Sequence, residues 1–217
     1  MGTQIKIIKL NRSNNKVTIT LSNLEKPLIV SENTVYRYKL VDGIVITPSQ
    51  FDILKHESLL FQCHREVTRL IALREHSTGE IRTKLKQKGF ESEIIKETVK
   101  KFESRGLLND AQFALNLAQR IINDKPCGKP YLTASLQRKM IDRELVEETI
   151  ENVLANQDEI DLAHKALKKR WHEFSQFELE VARKKSYNYL ARRSFGYEAV
   201  KNAFELLINR KEEDRKN

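Results

Sequence analysis

The stretch "IRTKLKQKGFESEIIKETVKKF" (81–102) decides the fold, because it recurs. Within it, Ile81 and Leu85 lie one helical turn apart, and Phe90 follows just beyond Gly89. After the break, Ile94, Ile95, Thr98, Val99 and Phe102 again keep the 3.6-residue period. Gly89 is a natural left-handed stop, so the stretch predicts helix, turn, helix. Sliding it by 51 residues pairs Ile81 with Leu132, Leu85 with Leu136 and Phe90 with Ile141. Ile94 and Ile95 then meet Leu145 and Val146, Val99 meets Ile150, and Phe102 meets Val153. Sliding it by 105 pairs Leu85 with Leu190, Phe90 with Phe195, Val99 with Phe204 and Phe102 with Leu207, with Ala199 and Val200 opposite Ile94 and Ile95. No gap interrupts either register, and a fixed period of this kind marks a repeat architecture.

Each copy is preceded by a further helical pattern, at roughly 60–76, 110–123 and 158–173. The joint between the first two copies is legible in "ESRGLLNDAQFALNLAQR" (103–120). Gly106 supplies positive φ, Leu107 and Leu108 are placed to plug the corner, and Asn109 caps the next helix. Ser77 and Glu80 have capping-box spacing ahead of Ile81. The fold class expected is therefore mainly α: three tandem three-helix units at 67–108, 109–155 and 158–210, in an elongated, curved arrangement. A charged tail (211–217) follows. Units of this size bury little alone and must stack on a neighbour.

The first 47 residues read differently. "IKIIKL", "KVTITLS", "KPLIVS" and "YRYKLV" are short and rich in β-branched or aromatic residues, with Asn, Ser or Pro at their borders, so they predict strands. "NRSNN" (11–15) predicts a hairpin connection, and Asp42-Gly43 a turn. As a strand, "YRYKLV" would put Tyr36 and Tyr38 on one face. Thr47 then caps a helix with Pro48 at its first position, and residues 48–66 are expected to connect the β-rich module to the repeats. So small a module is expected to lean on the helices.

Composition sets the function classes. The chain has 217 residues, a formal net charge of +9, and only seven glycines and four prolines. The charge is uneven: +3 over 1–66, +4 over 67–109, −1 over 110–157 and +3 over 158–217. Such a balance suits an acidic partner, nucleic acid above all. Two cysteines, Cys63 and Cys127, make neither a disulfide framework nor a metal site and fit a reducing cytoplasm. The N-terminus has no apolar signal core, and no window of 18 apolar residues occurs, so neither secretion nor membrane spanning is expected.

Catalysis finds little support. The five histidines, His56, His64, His76, His164 and His172, lack metalloprotease spacing. The glycines are scattered as stops rather than gathered in a phosphate loop, and no Gly-x-Ser-x-Gly occurs. Glu147 and Glu148 read as a solvated helix face. No cofactor and no metal are expected.

At this point "ALREHSTGEIRTKLKQKGFESEIIKETVKKFESRGLLNDAQFA" (72–114) resembles the RecX family, bacterial modulators of the RecA recombinase. The resemblance rests on the "REHS" lead-in, the Glu-x-x-x-Lys-Leu helix, Lys-Gly-Phe, and Arg-Gly-Leu-Leu-Asn-Asp followed by Phe-Ala. The repeat over 60–210 and the β-rich extension fit longer members of that family. "NDKPCGKP" (123–130) and "RRSFGY" depart from its usual pattern, the latter where a glycine is common. The resemblance implies a monomeric, non-enzymatic regulator of recombination and the SOS response. Such a protein binds the RecA–DNA filament and suppresses RecA's ATPase, strand exchange and co-protease activity.

The candidate contact residues are cations at equivalent places in the three units: Arg82, Lys84, Lys86 and Lys88; Arg138, Lys139 and Arg143; Lys184, Lys185, Arg192 and Arg193. Each set reads either as a phosphate or acidic-protein contact or as an ordinary solvated helix face. Tyr187, Tyr189 and Trp171 could stack on bases but stand at core spacing. Phe90, Phe102, Phe113, Phe195 and Phe204 fall on repeat core positions. A second reading is a stand-alone DNA-binding protein with helix-turn-helix-like units. Glu91, Glu93 and Glu97 near the start of helix 92–103 weigh against it there, because they would repel phosphates.

Overall fold

A computed structural model describes residues 5–22 and 24–213. It opens with β1 (Ile5–Ser13), β2 (Lys16–Leu21) and β3 (Leu28–Ser31), followed by α1 (Glu32–Arg37) and β4 (Val45–Ile46). The sheet order is β3-β2-β1-β4 with every pairing antiparallel. Asn14 and Asn15 both take positive φ at the β1–β2 hairpin, the backbone a two-residue turn between right-twisted strands requires. Gly43 (φ 84°) makes the turn into β4, and the Asp42 carboxylate accepts from the Leu10 N–H at 2.8 Å.

One expected strand is absent. "YRYKLV" forms the end of α1 and a turn. Ser31 caps α1 by accepting from the Thr34 N–H at 3.1 Å, and this local bond draws the segment into a helical turn. Tyr36 and Tyr38 accordingly share no strand face: Tyr36 is 85% exposed, while Tyr38 packs at the edge of the module's core.

α2 (Pro48–Leu73) starts where expected. Thr47 accepts from the Gln50 N–H, the Gln50 side chain accepts from the Thr47 N–H, and Pro48 occupies the first turn. It then runs unbroken for 26 residues. Leu54 and Phe51 pack into the sheet's core with Ile7, Val17, Ile19 and Val30. Leu60, Cys63, Val67 and Leu70 pack into a second core with Ile81, Leu85, Ile95, Val99 and Phe102. Ser58 accepts from the Ile29 N–H at 3.0 Å, and Glu57 accepts from Thr34 at 3.1 Å and pairs with Arg37 at 3.3 Å. The β-rich module does lean on a helix, and the same helix leads the first repeat.

The rest of that repeat is α3 (Thr78–Gln87) and α4 (Ser92–Glu103). The second is α5 (Asp110–Asp124), α6 (Lys129–Gln137) and α7 (Arg143–Leu154). The third is α8 (Glu159–Lys168), α9 (Trp171–Phe174), α10 (Leu179–Ala191) and α11 (Tyr197–Glu213). Residues 214–217 of the expected tail lie outside the described residues. The lead helix expected at 158–173 is broken at Lys169–Arg170. There the Lys169 ammonium donates to the last carbonyls of α5, Asn123 at 2.9 Å and Asp124 at 3.0 Å. Gly106 (φ 68°) ends the first repeat, and Asn109 caps α5 by accepting from the Gln112 N–H at 3.0 Å. Leu108 is buried at that corner, but Leu107 is 52% exposed and plugs nothing.

The chain forms two compact units. One comprises the β module, α2 and residues 80–108; the other comprises Ser77–Gly79 and residues 109 onward. In the second unit, repeats two and three share one continuous core, from Phe113 and Leu117 through Leu136 and Ile150 to Leu167, Leu190, Phe195 and Phe204. The 51- and 105-residue registers hold in the backbone as well as in the core. Gly89, Met140 and Ser194 occupy equivalent turns and have φ of 83°, 56° and 58°.

The turns differ in their surroundings. A Cβ at Gly89 would meet no heavy atom within 4 Å. The Met140 and Ser194 turns are instead backed by main chain inside the second unit. A Cβ at Gly79 would lie 2.3 Å from the Met140 carbonyl oxygen, and one at Gly128 would lie 1.9 Å from that of Ser194. Next to these contacts, Ser77 Oγ donates to the Lys139 carbonyl and the Gly128 N–H donates to that of Arg193 (2.9 Å).

Candidate functional site

On α3, Arg82 and Lys86 are exposed and Lys84 is half-buried. Lys88 is engaged: its ammonium lies 3.0 Å from Glu66, which also receives Arg69 at 2.6 Å. The hydrogen bond from Arg69, followed by the contact with Lys88, holds the Glu66 carboxyl below the usual carboxylate range. Glu80 is engaged too, with Arg74 donating to both of its oxygens at 3.0 Å.

The second set is largely turned onto its own helices. Arg138 donates to the Ala134 carbonyl (3.1 Å) and to Ser135 (3.2 Å), satisfying the open end of α6. Lys139 is half-buried. Arg143 pairs with Glu147 at 2.9 Å one turn on. Both partners are largely exposed, so water screens the attraction.

The third set is the one the structure gathers. Lys185 and Arg192 line a cavity of about 410 Å³ with Arg170, Phe174, Asn188 and Tyr189. The Lys185 ammonium lies 4.3 Å from the centre of the Phe177 ring. Arg170 lies 5.8 Å from the Tyr189 ring and 6.0 Å from that of Phe174, and Arg193 lies 4.8 Å from Tyr189. Arg192 repeats the Arg138 pattern, donating to the Asn188 carbonyl at 3.2 Å. Arg193 reaches the Pro126 carbonyl at 3.3 Å, and Lys184 is exposed. The aromatics are half-buried against the core. Trp171 and Tyr187 pack edge-on against Phe204, and Tyr189 against Phe174. Arg170, Asn188, Phe174 and Phe177 escaped the sequence reading. The basic–aromatic run "KKRWHEF" (168–174) was the signal for two of them.

The groups that could support acid–base or nucleophilic chemistry are placed in the core. Burial raises the Cys63 thiol above its ordinary value and pushes Cys127 up to about 11, away from thiolate chemistry at neutral pH. Burial, helped by Lys101, lowers His64 to about 4. Among the described residues no group of three His, Cys, Asp or Glu is placed to hold a metal ion, and no helix is long and apolar enough to cross a membrane.

Comparison with known proteins agrees with this architecture. The family model for the RecX first three-helix domain matches residues 65–102, the C-terminal part of α2 with α3 and most of α4. The regulatory protein RecX of Prosthecochloris aestuarii is 31% identical over 140 residues, covering 64% of this chain and 89% of that protein. The regulatory protein RecX of Finegoldia magna is 25% identical over 200 residues, 91% of this chain and 96% of its own. A crystal structure of regulatory protein RecX superposes with a TM-score of 0.67 at 17% identity, over 91% of this chain and 97% of that one, so the fold extends through the β-rich module. With the triplicated turns, the repeat register and a relative of this identity matched over nearly its whole length, the chain belongs to the RecX family.

Proposed function

We propose that this protein regulates homologous recombination and DNA repair, including the SOS response, by binding the RecA–DNA filament. It suppresses RecA's ATPase, strand exchange and co-protease activity, and does so in the cytoplasm, as a monomer, without catalysis or a cofactor of its own. The observation that carries this reading is family membership across the helical repeats. Stacked repeats give a protein many equivalent contact points along a periodic partner. Arg82, Lys84 and Lys86 on α3, Arg138, Lys139 and Arg143 around the second turn, and Lys184, Lys185, Arg192 and Arg193 in the third repeat are the residues assigned to filament contact. Lys88 contributes less, being neutralised by Glu66. Contacts of this kind are sequence-independent and weaken with salt.

The test is RecA's single-strand-dependent ATPase, with this protein titrated at far less than one copy per RecA and at two salt concentrations. Suppression at low ratio, relieved by charge reversal at Arg82, Lys84 and Lys86, is the expected result. Unchanged ATPase at a one-to-one ratio would overturn the reading.

A stand-alone, mostly non-specific DNA-binding role is the second reading. The cations gathered around the third-repeat cavity favour it. Base-specific readout by α4 is disfavoured, since Glu91 and Glu93 are exposed at its start.

A further inference from the structure

The third repeat carries a feature its two siblings lack. Lys185, Asn188, Tyr189 and Arg192 stand at i, i+3, i+4 and i+7 and so form one face of α10. The same face carries Tyr131, Ala134, Ser135 and Arg138 in the second repeat, and Glu80, Thr83, Lys84 and Gln87 in the first. The break after α8 turns Arg170 and Phe174 toward that face, closing a cavity of about 410 Å³ lined by no acidic residue. That volume falls in the range of small-ligand pockets, roughly 300–1,000 Å³.

The chemistry of the lining is selective. Lys185 is held over the Phe177 ring rather than by a carboxylate, so it keeps its charge and its three N–H donors for an incoming anion. Arg192 uses Nε on the Asn188 carbonyl and keeps its terminal N–H groups. Arg170 is paired with Glu173 at 2.5 Å, which fixes it as a planar wall beside Tyr189 and Phe174. Phe177 is 47% exposed at the mouth. Two available cations, planar walls and an amide suit one phosphodiester with its attached base. A carboxylate chain would use the cations and leave the planar walls idle.

We propose that this cavity is a nucleotide-sized subsite for single-stranded nucleic acid. Lys185 and Arg192 take the backbone phosphate, and Arg170, Tyr189 and Phe177 provide the stacking surface. The inference deepens the proposed function by assigning strand contact to the third repeat; it rests on that reading only for its setting, because the test omits RecA.

The experiment is fluorescence anisotropy of a labelled oligothymidylate titrated with the full chain across a salt series. Lys185→Glu/Arg192→Glu is expected to weaken binding about tenfold or more and to flatten the slope of log K against log salt by about 1.4, roughly 0.7 for each lost phosphate contact. Asn188→Asp, an exposed change that leaves packing intact, is expected to weaken it severalfold, and Arg82→Glu/Lys86→Glu less. Three results would overturn the subsite: wild-type affinity in both pocket variants, no binding by the wild type, or equal competition by polyglutamate per unit charge. Displacement by ATP at equal nucleotide concentration would replace the strand with a free nucleotide and also overturn it. RecA ATPase is read on the same preparations. Lost suppression with oligonucleotide binding intact strikes the filament reading alone.

Discussion

The turns at Gly89 and Ser194 have the same backbone and opposite surroundings. Both lie in the left-handed region, and both donate the following N–H back to the leucine five residues earlier, Phe90 to Leu85 at 3.2 Å and Phe195 to Leu190 at 3.3 Å. Gly89 faces open space at its Cβ position, and glycine alone makes its conformation inexpensive. Ser194 is buttressed by the main chain at Gly128, and packing supplies what glycine supplies at Gly89. A turn held from outside can spend its residue identity elsewhere. The glycine has in effect moved across the interface, from the turn to the segment that touches it.

The comparison breaks hardest at Gly128. Gly128→Ala puts a methyl 1.9 Å from the Ser194 carbonyl oxygen, against backbone that cannot step aside. A loss of about 3 kcal/mol or more is expected in urea unfolding, at the upper end for overpacking. An unchanged midpoint would mean that the third turn is not buttressed there. Gly89→Ala is next, with a loss of about 1 kcal/mol from left-handed strain, since nothing else at that site resists a side chain.

Ser186 sharpens the contrast from the core. It occupies the position of Ile81 and Leu132 and is fully buried, and its Oγ has no partner among the described residues. Ser186→Ala is expected to raise the unfolding midpoint, by about 1 kcal/mol, because the desolvated hydroxyl disappears. Ser194→Gly comes lower still: relief of the turn is offset by the entropy of a new glycine, leaving a change of about 0.5 kcal/mol or less. The smallest effect is expected in acid. His64 titrates near 4 in the fold and near 6.5 in the unfolded chain, so the unfolded state binds more protons between those values. Its penalty grows as pH falls through that window and is complete below it. His64→Leu should therefore shift acid unfolding to lower pH and leave stability at pH 8 little changed.

The helical repeat was legible because burial forces a period, and Ile81, Leu85, Val99 and their counterparts kept it through large changes in identity. The caps at Thr47 and Asn109 were legible because their bonds are local. The "YRYKLV" segment misled because tyrosines and β-branched residues suit strands, while the deciding bond comes from Ser31, just upstream. The candidate site was legible only as cations. Which of them are engaged depends on partners distant in sequence, such as Glu66 for Lys88, 22 positions apart. Arg170 joined the cavity through a helix break set by Lys169 reaching back to α5, and no periodicity announces such a bond.

One consequence follows from α2. At about 1.5 Å per residue its 26 residues form a rod of about 39 Å, and two separate cores are keyed to it. The rod therefore acts as a phase lock. Inserting a single residue between Leu54 and Leu60 would turn one core's contacts about 100° away from the other's, whereas seven residues would bring them nearly back into phase. Length changes in this part of the chain are quantised by the helical period, and the β-rich module can be traded or trimmed only in steps that respect it.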